Sequence, residues 1–138
     1  MIASATMEDV MNIEHIAPPP EARHYPPLSL AVKAGETLYV SGVAPYDAQG
    51  GLAKGDFSAQ MKQVLANLDE VLRLSGASRD TVVKCNVLLT RPEDVAEMNR
   101  LYADFFGPAP YPARTTSVVL ALPVPDFLLE IECVAILG

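Results

Sequence analysis

Leu128-Leu129-Glu130-Ile131-Glu132-Cys133-Val134-Ala135-Ile136-Leu137 settles the layering of this chain, because its two faces carry different chemistry. In a strand, alternate side chains point to opposite sides. Leu129, Ile131, Cys133, Ala135 and Leu137 make one uniformly apolar face, suited to packing beneath helices, while Leu128, Glu130, Glu132, Val134 and Ile136 make the other. Aliphatic surface beside two carboxylates suits neither a dry core nor open water, which implies burial against another subunit. The expectation is an oligomer with its site at the interface.

The segments before this strand supply the helices. From Asp56, apolar residues recur at three- and four-residue spacing through Phe57, Met61, Val64, Leu65, Leu68, Val71 and Leu72. Asp56 is placed to cap this helix and Gly76 to end it. A second helix is expected from near Thr90, where Thr90-Arg91-Pro92-Glu93 has capping-box spacing, with Val95, Met98, Tyr102, Phe105 and Phe106 as its buried stripe. Gly107-Pro108-Ala109-Pro110 stops it. Val82–Leu89 is rich in β-branched residues and apolar on both faces, with Val83, Cys85, Val87 and Leu89 on one side, so it is expected as a central strand. Leu30–Ser41 reads as a hairpin around Gly35-Glu36, and Thr115–Ala121 as the strand before the turn at Pro123-Val124-Pro125-Asp126. Asp47–Gly55 is a loop, its Gly50-Gly51 a plain turn with no phosphate-binding pattern. Residues 1–27 form an extended arm ending in Pro18-Pro19-Pro20 and Pro26-Pro27, and residues 28–138 one domain. The order is β-β-α-β-α-β-β, an α+β chain with two helices on one face of one sheet.

Composition narrows the partners. The chain of 138 residues has a net charge of −7, so it lacks the basic footprint that a nucleic-acid backbone requires. Eighteen apolar residues never run together, and Glu8 and Asp9 stand where a signal peptide would be apolar, which points to a cytoplasmic chain with no membrane partner. Initiation at Met7 is an alternative to Met1. Cys85 and Cys133 each lie in a buried-strand pattern and are expected as reduced thiols. With His15 and His24 the only histidines, no ligand set has zinc spacing, and no metal or cofactor is expected.

The chemistry concentrates in Tyr111-Pro112-Ala113-Arg114-Thr115-Thr116, whose arginine precedes Glu130 by sixteen positions. Placed at the ends of neighbouring strands, a guanidinium fork and a carboxylate would grip a small carboxylate substrate and direct a water at it. Read blandly, Arg114 is a surface ion-pair arginine, and Glu130 and Glu132 are solvated edge acids. Glu130 is taken as the site acid and Glu132 as a structural or interface acid.

Ser29-Leu30-Ala31-Val32, Val40-Ser41-Gly42 with Pro45, Val82-Val83-Lys84, Met98-Asn99, Tyr102-Ala103-Asp104-Phe105-Phe106, Pro112-Ala113-Arg114-Thr115 and Glu130-Ile131-Glu132 occur in that order. Together they resemble the reactive-intermediate deaminase family, RidA or YjgF-like, over roughly Asn12 to Leu137. The resemblance implies a chorismate-mutase-like fold, a homotrimer with clefts between adjacent subunits, and hydrolysis of 2-imino and enamine acids to 2-keto acids and ammonia without a cofactor. It also implies site roles: Arg114 clamps the substrate carboxylate and Glu130 orients water, with Ser41, Gly42 and Asn99 lining the cleft.

This chain departs from the family pattern at two further positions. Leu28 stands where a tyrosine is usual, and Thr116 stands where a cysteine is common. Tyr25, Tyr46 and Tyr111 are candidates for the missing phenol, although aromatics beside prolines more often simply pack. His24 reads as a loop residue. Two other functions stay open: a paralogue acting on a bulkier or different unsaturated acid in a cleft dried by Leu28, and a trimeric module that binds a carboxylate ligand without turnover.

Overall fold

The computed structural model describes residues 12–22 and 25–138. Glu8, Asp9, the alternative start at Met7 and the loop histidine His24 lie outside the described residues. Six strands, β1 (Ile13–Ile16), β2 (Ala31–Ala34), β3 (Thr37–Val43), β4 (Val82–Leu89), β5 (Ala113–Val118) and β6 (Leu129–Ile136), form one sheet in the order β1-β2-β3-β6-β4-β5. Only β4 and β5 pair in parallel among the described residues. Among the described residues two helices, α1 (Phe57–Leu74) and α2 (Val95–Phe106), lie on one side of the sheet and share a single apolar core with it.

The expected β-β-α-β-α-β-β order is present, preceded by one further strand. Ile13–Ile16, inside the stretch read as an arm, pairs antiparallel with β2, and Ile16 accepts a backbone hydrogen bond from Leu30. It is a four-residue edge strand with little burial, so no alternation marked it.

α1 follows its sequence signals closely. Asp56 accepts a hydrogen bond from the Ala59 amide at 3.0 Å, and Gly76 adopts φ 78° just past the last turn. The start of α2 differs from expectation. Thr90 makes no capping box; its amide instead donates to Leu128 at 3.2 Å. A 3-10 turn over Pro92–Asp94 intervenes, closed by Arg91 on the Asp94 carboxylate at 2.7 and 3.0 Å, and α2 begins at Val95. Arg79 then ties the two helices together, since it pairs with Asp69, donates to the Phe105 carbonyl at 3.0 Å and lies 4.0 Å over the Phe105 ring.

β6 carries the two faces its sequence announces: Leu129, Ile131, Cys133 and Ala135 are buried, and Glu132 and Ile136 are exposed. In β4 the expected alternation breaks at its start. Register shifts between Val82 and Lys84, and this irregularity turns Val82 into the core and Val83 out to 45 % exposure. The side of the sheet without helices exposes Tyr39, Val83 and Ile136 around the polar pairs Asn86–Glu132 and Lys84–Thr115, both at 2.9 Å.

Candidate active site

β6 and its neighbour β3 build one part of the site. β3 changes register between Val40 and Val43, which leaves Ser41 and Gly42 off the regular ladder. A β-carbon at Gly42 would lie 2.9 Å from Glu130 Oε2, so only glycine leaves the carboxylate its place. The Ser41 hydroxyl donates to the Ser29 carbonyl at 2.7 Å, which binds β3 to the segment carrying Leu28. Leu28 itself is 38 % exposed.

Glu130 is half-buried, and its carboxylate makes no hydrogen bond or ion pair among the described residues. Burial first, and the nearby Glu132 carboxylate second, push its pKa above the usual range. An unpaired carboxylate of raised basicity is a proton acceptor held ready.

Its placement depends on a residue that the sequence reading passed over. Gln60, fully buried in α1, donates to the carbonyls of Ala53 and Asp126, both at 3.0 Å, and accepts from the Leu128 amide at 2.9 Å. These bonds fix the turn from which β6 departs, two residues before Glu130. The signal was a polar residue three positions beyond Phe57 inside an apolar stripe.

The second part sits on the edge strand β5. Arg114 is exposed and aligned with Cys85 of β4, and its guanidinium lies 4.9 Å above the Tyr102 ring with Nη1 3.7 Å from the Met98 sulfur. Both contacts come from α2, so Arg114 belongs to the helix-covered side. Two residues on, the Thr116 hydroxyl is buried and has no hydrogen-bond partner. Asn99 follows Met98 on α2, exposed and with no side-chain hydrogen bond among the described residues.

The expectation that Arg114 and Glu130 sit on neighbouring strands is therefore corrected. β4 lies between β5 and β6, and Glu130 is aligned with Leu88 while Arg114 is aligned with Cys85. Two strand spacings separate the two strands by about 10 Å, and three residues of stagger add about 10 Å along them. They also face opposite sides of the sheet. Within one chain they cannot grip the same small molecule.

Cys85 and Cys133 are directly opposed, buried and free. Burial raises both pKa values, that of Cys133 to about 12, so neither is a thiolate at neutral pH. Among the described residues, no three His, Cys, Asp or Glu side chains are grouped so as to hold a metal ion, and no helix is long and apolar enough to cross a membrane.

A family profile described as endoribonuclease L-PSP matches residues 18–137. A RutC family protein of Pyrococcus horikoshii is 42 % identical over 110 residues, covering 79 % of this chain and 86 % of its own. Reactive Intermediate Deaminase A of Arabidopsis thaliana, a chloroplastic protein, is 40 % identical over 80 % of this chain and 59 % of its own. Among solved structures, Escherichia coli TdcF with bound serine superposes with a TM-score of 0.80 at 29 % identity, over 91 % of this chain and all of that one. The likeness in sequence and the shared α+β fold place the chain in the Rid/YjgF/RutC family.

Proposed function

We propose that this chain hydrolyses reactive 2-imino and enamine acids to 2-keto acids and ammonia, in clefts between copies of itself in a homotrimer. The observation that carries this reading is the divided site. Arg114 and Glu130 each stand without a charge partner among the described residues, yet they face opposite sides of one sheet. A neighbouring copy supplies the missing half of each. The bound serine of TdcF, an amino acid with a carboxylate, and the name of the Arabidopsis relative support the same substrate class.

The chemistry follows from the two groups. The planar guanidinium of Arg114 binds the substrate carboxylate with two parallel charge-assisted hydrogen bonds, which fixes the adjacent imine carbon. Glu130 of the neighbouring copy accepts a hydrogen bond from a water and draws off its proton as the oxygen bonds to that carbon. The imine reacts as its protonated iminium, so the tetrahedral adduct carries the nitrogen as an amine. Glu130 returns the proton to this nitrogen, the carbon–nitrogen bond breaks as the adduct's hydroxyl gives its own proton to Glu130, and ammonia leaves with a carbonyl behind it. A pKa raised toward neutrality makes Glu130 the better base for the first step and the better acid for the second. Gly42 leaves room beside its Oε2, and the buried, unpartnered hydroxyl of Thr116 lies two residues beyond Arg114 on the same strand. Ser41 and Asn99 line the cleft.

Leu28 supports a narrower version of this reading. An exposed aliphatic side chain, joined to the Glu130 side through Ser29 and Ser41, favours imino acids with larger apolar side chains. The endoribonuclease of the matched description is poorly served by a chain of net charge −7.

The reading is tested by ammonia release from imines generated in situ by an amino-acid oxidase, across a series of side chains. Wild-type protein should accelerate release and Arg114→Ala should not. Equal rates with and without protein would overturn the proposal.

A further inference from the structure

Among the described residues every other arginine is matched to a carboxylate: Arg73 to Glu70, Arg79 to Asp69, Arg91 to Asp94 and Arg100 to Glu97. Arg114 has none. It rests instead on two neutral groups of α2, the Tyr102 ring at 4.9 Å and the Met98 sulfur at 3.7 Å. Met98 is fully buried and Tyr102 is 4 % exposed, so both are held by the core and cannot turn away. They lie one helical turn apart, so the ring stacks on the guanidinium while the sulfur accepts a hydrogen bond from Nη1.

From this arrangement we infer that Tyr102, supported by Met98, is a positioning residue for the Arg114 clamp. An aromatic face attracts a cation without accepting its in-plane hydrogen bonds. Apart from the Nη1 hydrogen bond to the Met98 sulfur, the guanidinium therefore keeps its donors for an incoming carboxylate. A carboxylate in the same place would orient Arg114 equally well, but would compete with the substrate for those donors and for the charge. The neutral platform restrains the side chain and leaves the charge uncompensated.

The Tyr102 hydroxyl plays no part in this. It is buried beside Cys85, near enough for burial and the thiol to raise its pKa, yet it has no formed hydrogen bond. The ring carries the function, and that separates a platform from a proton donor.

The inference rests on the proposed carboxylate clamp, and binding of 2-oxobutanoate, a stable product-like acid, tests both by calorimetry. Wild type should bind it well above Arg114→Ala. Tyr102→Phe, which keeps the ring, should bind within about two-fold of wild type, and Tyr102→Leu should bind roughly three- to thirty-fold more weakly. In turnover the loss from Tyr102→Leu should appear in KM with little change in kcat. Wild-type binding no better than that of Arg114→Ala would defeat the clamp, and the platform with it. A normal clamp with Tyr102→Leu matching wild type, or with Tyr102→Phe as weak as Tyr102→Leu, would defeat the platform alone. A readout that needs no change at 102 comes from wild-type NMR. Arg114 side-chain signals, assigned by their loss in Arg114→Lys, should be moved upfield by the ring, and unshifted signals overturn the inference.

Discussion

Arg114 is the side chain on which the proposed chemistry depends most directly, and its replacement by lysine separates charge from shape. An ammonium keeps the charge but cannot reproduce two parallel hydrogen bonds. Arg114→Lys should therefore resemble Arg114→Ala in turnover, each losing roughly ten- to a hundred-fold in kcat/KM, and near-normal activity of the lysine variant would refute the clamp. Glu130 makes a prediction of opposite sign for stability. Its folded pKa is raised, so as pH rises the unfolded chain ionises first, and the half-buried charge weakens the fold once both states are ionised. Glu130→Gln should raise Tm at neutral pH, and the gain should vanish below the ordinary carboxylate range. Activity should do the reverse: in wild type it falls as pH drops through the raised pKa, and in Glu130→Gln it is low throughout. A Tm unchanged by the substitution at every pH would contradict the burial argument.

The elements were legible in proportion to how local their causes are. The caps of α1 and the hairpin turn at Gly35, with φ 61°, are written in a few adjacent residues and appear as read. β1 was not legible, because an exposed four-residue edge strand has no buried face to impose a pattern. The reversal of Val82 and Val83 was hidden for a different reason: a bulge is a property of strand pairing, and either valine suits either face. Strand order is likewise a tertiary fact, and it is what moved Arg114 and Glu130 apart. The residues proposed for the site were picked out by motif alone, and their division between two faces could not be read that way. Gln60 shows the cost of missing a tertiary bond. Gln60→Leu would strand two carbonyls and an amide at the turn into β6, which should lower Tm by roughly 10 °C. It should also depress activity where Glu130 is intact and add little to the loss already caused by Glu130→Gln. Equal stability of the leucine variant would show that the turn does not rely on Gln60.

For the whole molecule, the uncovered side of the sheet and the divided site make the same demand for neighbours. The proposed trimer gives this a sharp test, since Arg114→Ala and Glu130→Gln damage different halves. Co-refolded in equal amounts, the two inactive variants should regain about a quarter of wild-type activity, because one cleft in four then unites an intact arginine half with an intact glutamate half. No recovery from mixed assemblies would mean that both groups serve one chain. Light scattering should give three chains per particle, and a monomer at micromolar concentration would remove the basis of the site.

The placement of Arg114 and Glu130 on opposite sides of one sheet has a kinetic corollary. If a working cleft exists only while two copies touch, catalysis per chain is a function of dose: it stays constant at concentrations that keep the copies together and falls on dilution below their dissociation constant. An assay run too dilute would then report an inert protein. The lag before full activity, on returning such a sample to high concentration, would measure how fast the copies find one another.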